Sequence, residues 1–99
     1  MPEIACKLDA AGLGARQQLL AGLVARATHR RELADGFAFA FPAEATTLAE
    51  VAAVVEPERR CCPFLRIALT AEPDDGPIRL DLTGPDGTKE FLRGLLKLA

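Results

Sequence analysis

The chain has 99 residues, enough for one domain built around one core. It is 49% hydrophobic and 26% charged, which places it among globular rather than disordered chains. A net charge of -2 argues against a nucleic-acid or anionic-membrane footprint, and five phenylalanines with no Trp or Tyr make a poor base-stacking platform.

No run of apolar residues approaches the ~18 needed to span a bilayer. Met1-Pro2-Glu3-Ile4 has no basic stretch leading into an apolar one, so a cytoplasmic location is expected. Three cysteines is an odd count, which fits poorly with a secreted disulfide framework.

In chain order, Ile4-Ala5-Cys6-Lys7-Leu8 alternates, so a short strand is predicted with Cys6 on the apolar face. Asp9 is a helix N-cap candidate, and helical spacing of Leu13, Leu20, Val24 and Ala27 predicts a helix from Ala10 to about Arg31. His29 would then lie in its polar end. Asp35-Gly36 marks a turn, and Phe37-Ala38-Phe39-Ala40-Phe41 a strand with three rings on one face.

A second helix is predicted from about Ala43 toward Cys62. Its apolar stripe is Leu48, Val51, Ala52, Val55 and Cys62, with a kink or restart near Glu56 because Pro57 cannot continue the hydrogen-bond ladder. Leu65, Ile67 and Leu69 alternate in one strand and Ile78, Leu80 and Leu82 in another, joined through Pro73-Asp74-Asp75-Gly76. Gly84-Pro85-Asp86-Gly87 leads into a last helix, Thr88 to Leu98.

The predicted order is β-α-β-α-β-β-α over a single domain, residues 1–99. This is an α+β fold of two layers, a mixed four-stranded sheet with helices on one face. The other face would carry Ala38, Ala40 and Ala68 among Arg66, Thr70, Arg79 and Asp81, with Ala5 and Lys7 beside them. Small side chains permit close approach of a second surface, so a homodimer through this face and a solvated face are both open.

Glu58-Arg59-Arg60-Cys61-Cys62-Pro63-Phe64-Leu65 is the segment richest in chemistry. Together with Leu82-Thr83-Gly84-Pro85-Asp86-Gly87-Thr88-Lys89-Glu90-Phe91-Leu92, it resembles a family of small bacterial proteins similar to the tail of some heavy-metal-responsive regulators of the mercury-resistance (MerR) type. Ile4-Ala5-Cys6-Lys7-Leu8 and Leu33-Ala34-Asp35-Gly36 share the resemblance, which covers nearly the whole chain. It implies an association with metals. It does not imply transcriptional control, because the chain has no helix-turn-helix domain.

Thiolates suit soft ions such as Hg(II), Cu(I), Zn(II) or As(III). The candidate metal ligands are Cys61 and Cys62, with Cys6 as a third. Arg59 and Arg60 would favour thiolates, and Glu58 lies one helical turn before Cys61. Two or three sulfurs would satisfy Hg(II) better than Zn(II).

Against a site, adjacent helical residues diverge by about 100°, structural zinc sites space their cysteines, and a single histidine adds little. Three readings follow. One is a small non-catalytic protein that traffics, buffers or senses a soft metal or metalloid ion. Another is a dimeric structural or interaction module with the cysteines in the core. The third is a thiol enzyme, with Cys61 as nucleophile, Glu58 as proton shuttle and Arg59 or Arg60 as anion clamp. No Ser-His-Asp set exists, since a single His leaves no convincing partner.

Overall fold

Alternation in 36–41 and 78–83 puts every second side chain on one side of a sheet, and the computed structural model pairs these two strands at the sheet's centre. The structure describes residues 18–43 and 48–98. They form α1 (18–24), β1 (His29–Leu33), β2 (Gly36–Phe41), α2 (Leu48–Val55), α3 (Glu58–Cys61), β3 (Arg66–Ala71), β4 (Ile78–Thr83) and α4 (Thr88–Leu96). The strand expected around Cys6 and the Asp9 cap lie outside the described residues.

The fold is α+β, as expected, with a four-stranded open sheet in the order β1-β2-β4-β3. Every described pairing is antiparallel, since β1–β2 and β3–β4 are hairpins and β2 meets β4 in the opposite sense. Phe37, Phe39 and Phe41 of β2 and Ile78, Leu80 and Leu82 of β4 share the inner face. They are buried there with Leu20, Leu23, Val51, Val55, Leu92, Leu95 and Leu96 of the helices. Full burial of each such side chain is worth roughly 1.5–3 kcal/mol. Phe64 and Phe91 meet edge-to-face at 5.1 Å between centroids, fixing the chain after α3 to α4.

One element departs from the sequence pattern. Residues 29–31, expected at the end of the first helix, form β1 together with Glu32 and Leu33. The helix ends in i→i−3 bonds from Arg26 and Ala27, and Thr28 N–H then donates to Ala40 O. His-Arg-Arg-Glu-Leu shows no apolar alternation, because its strand lies at the edge of the described sheet and both faces of it meet water. Neighbour pairing with β2, rather than local pattern, makes it a strand. The expected apolar stripe on α2 is also narrower than its spacing suggests: Val51 and Val55 are buried, whereas Leu48 is 44% exposed.

β1 is tied to α4 by charge. Lys89 Nζ and Arg93 donate to the two oxygens of Glu32, and Arg93 also lies over the Phe37 ring at 5.3 Å. The Lys89 hydrogen bond, followed by the charges of Lys89 and Arg93, holds the Glu32 carboxyl below its ordinary value of 4.5. A lowered folded-state value means that Glu32 stabilises the fold above its unfolded value, and that the contribution is lost as pH falls through the folded value. Glu32→Gln is therefore expected to be less stable than wild type at neutral pH, the gap closing in acid and shrinking in high salt. Denaturant melts across pH measure this.

Gly36 opens β2 where the backbone of β4 leaves no room. A Cβ there would fall 1.8 Å from Leu82 O. Gly36→Ala is expected to destabilise the protein by about 1–3 kcal/mol through forced separation of the two central strands. A denaturant melt with unchanged stability would contradict this.

Candidate metal centre

Two prolines shape the cysteine segment. α2 stops at Val55, and Pro57 takes the cap position of α3 (φ -64, ψ -25), so the helix restarts for a single turn. The break expected near Glu56 is there. Cys61 N–H bonds Pro57 O and Cys62 N–H bonds Glu58 O. Cys62 itself leaves helical space (φ -121, ψ 77), as a residue before proline is driven to do. The chain then turns through Pro63-Phe64, Leu65 N–H bonding Cys62 O, and enters β3.

This exit from the helix overturns the expected divergence of the two thiols. Cys61 is the last helical residue and Cys62 is extended, so both side chains turn into the core. Their sulfurs are 3.7 Å apart. Glu58 lies one turn earlier, and its Oε2 is 3.7 Å from Cys62 Sγ. The three donor atoms lie within 4.8 Å of one another. All three residues are buried: Glu58 is 3% exposed, Cys61 4% and Cys62 0%. Cys61 thus packs into the core much as Cys62 does.

The two sulfurs differ in state. Cys61 carries a free thiol, whereas Cys62 is disulfide-bonded. Cys6, the third expected ligand, lies outside the described residues. The arginines do not close on the sulfurs: Arg59 donates to Glu56 at 3.2 Å and is largely exposed, and Arg60 is exposed as well. The anion clamp of the thiol-enzyme reading therefore points to solvent.

His29 is exposed, as expected, but on β1 and with Nδ1 3.3 Å from Thr28 Oγ1. Asp74 and Asp75 take left-handed backbone angles in the β3–β4 turn, which accounts for them without chemistry. Gly84-Pro85-Asp86-Gly87 leads into α4, where buried Thr88 donates Oγ1–H to Pro85 O at 2.6 Å.

The donor set fits an ion by distance. Two sulfurs each ~2.3 Å from one tetrahedral ion stand about 3.8 Å apart, and from a linear one about 4.6 Å. The observed 3.7 Å matches the tetrahedral case. A carboxylate beside two sulfurs supplies a third donor of a type that zinc accepts. In the sequence Glu58 stands out only as a neighbour of Cys61; the signal for it is the i,i+3 spacing, and its approach to Cys62 comes from the end of the helix.

No protein-family model, curated protein or solved structure matches the chain.

With both cysteines buried, Cys61→Ser is expected to cost roughly 1–3 kcal/mol by placing a hydroxyl in an apolar site. Cys62→Ser is expected to cost more, because it removes the disulfide as well. Denaturant melts of the two variants, side by side and without reductant, give the order.

Proposed function

We propose that the protein binds one soft metal ion per chain through Cys61 and Cys62, with Glu58 as an oxygen donor and Cys6 as a further sulfur. The observation that carries this reading is the convergence of two sulfurs and a carboxylate inside the core. The role is trafficking, buffering or sensing rather than catalysis. A cytoplasmic, reducing setting and the resemblance to the tails of metal-responsive regulators agree with it.

Cysteine ligands must be deprotonated, so binding releases protons and weakens as pH falls. Titration of the reduced protein with Hg(II) or Zn(II), against a competing small thiol or chelator, is expected to give one ion per chain. Cys61→Ser is expected to weaken binding strongly. No binding by the wild type, or equal affinity in both proteins, would remove the reading.

A second reading is favoured by the outer sheet face. There Ala38, Ala40 and Arg79 line an open basin of about 420 Å³ with His29 and Arg31, and Ala68 lies across β4 from them. In this reading the face is a homodimer contact, compatible with metal binding or independent of it. Light scattering is expected to return a dimer mass that Ala40→Glu reduces to a monomer, since it puts a charge into a close contact. A monomer mass for the wild type removes it.

A further inference from the structure

The outer sheet face holds a cationic basin that the metal centre does not use. Strand pairing lays its residues out in rows: His29, Ala40 and Arg79 form one, and Arg31, Ala38 and Asp81 the next. The methyls of Ala38 and Ala40 make the floor, about 6.7 Å apart along β2. His29 and Arg31 stand on one side of it and Arg79 on the other, with β1 and β4 about 9.6 Å apart. Ala38 is 7% exposed although it faces away from the core, so the floor lies below its walls.

Charge selects what this basin can hold. Among the strand residues of the outer face, Arg31, Arg66 and Arg79 stand against Asp81, three cations to one anion, or +2. The whole chain, by contrast, has a net charge of -2. No ion pair among the described residues takes Arg31 or Arg66. Arg79 donates through Nη2 to the two oxygens of Asp81 at 3.1 and 3.4 Å, which fixes its guanidinium at the wall.

We propose that the basin binds a small organic acid with a flat apolar body. The body lies on Ala38 and Ala40, and the carboxylate meets Arg31 and Arg79. The proposal is independent of the metal reading and competes with the dimer reading for the same face.

A guanidinium presents a planar fork of donors that matches a carboxylate, and it also stacks on a flat ring. The basin volume, about 420 Å³, lies within the roughly 300–1,000 Å³ of small-molecule sites. Two copies packed face to face would set these arginines against one another, and like charges across a contact are unfavourable. A nucleic-acid strand would call for exposed aromatic rings, whereas Phe37, Phe39 and Phe41 are all buried on the inner face.

The full chain is titrated with naphthoate, a flat aromatic carboxylate, and binding is followed by amide NMR. Saturable shifts are expected at residues 29–31, 38–40 and 79–81. Neutral naphthamide lacks the charge and inorganic phosphate lacks the apolar body. Each is expected to bind more weakly by roughly tenfold or more. These comparisons use the wild type, so they stand even where a variant does not fold.

Arg31→Gln is expected to weaken naphthoate by a similar factor, and Ala40→Glu to abolish binding by filling the floor with a negative charge. Arg60→Gln removes the same charge from α3 and is expected to change nothing. The proposal is overturned by a wild type without saturable shifts, by shifts confined to other parts of the chain, or by equal or tighter binding of either control ligand. Equal weakening by Arg31→Gln and Arg60→Gln overturns it too. A dimer mass that Ala40→Glu reduces to a monomer and naphthoate leaves unchanged gives the face to a second copy, and overturns it as well.

Discussion

The inner face of the β2–β4 pair is the constraint on which the rest of the molecule depends. Three phenylalanines on one strand oppose Ile78, Leu80 and Leu82 on the other, in a register set by Gly36 against Thr83. Strand side chains alternate strictly, so a one-residue slip would turn the rings to the opposite face. With the register fixed, the helices have a single apolar surface to cover. α2, α4 and the cysteine segment are drawn to the same side of the sheet and therefore to one another.

Within that layer, Pro57 and Pro63 confine α3 to one turn. A longer regular helix would separate Cys61 and Cys62 around its axis. Ending it at Cys61 lets two neighbouring residues point into one volume and puts Glu58 above them. The cluster thus follows from where helical hydrogen bonding is interrupted. Phe64 and Leu65 then bury immediately after Pro63, with Phe64 packed on Phe91, so the turn that holds the cysteines is clamped from its C-terminal side.

The same burial sets the electrostatics of the cysteine segment. Water is largely excluded around Glu58, Cys61 and Cys62, so a charge on any of them is expensive unless an opposite charge or a hydrogen bond meets it. The disulfide meets that demand at Cys62 by being neutral. Arg59 is turned to Glu56 and Arg60 to solvent.

The sequence by itself determined the strands with strict alternation, the helix break at Pro57, the turns at Asp35-Gly36 and Pro73–Gly76, and the α+β class. These features depend on local periodicity and on residues whose backbone freedom is restricted wherever they occur. It also marked Cys61 and Cys62 as the place to look. Only the tertiary structure decided that 29–33 is a strand, because its stability comes from hydrogen bonds to β2 and charge contacts to α4 rather than from its own pattern. Only the tertiary structure decided that the two sulfurs converge on Glu58. That convergence depends on the backbone angles of a single residue, Cys62, at a helix end held in place by packing against the sheet.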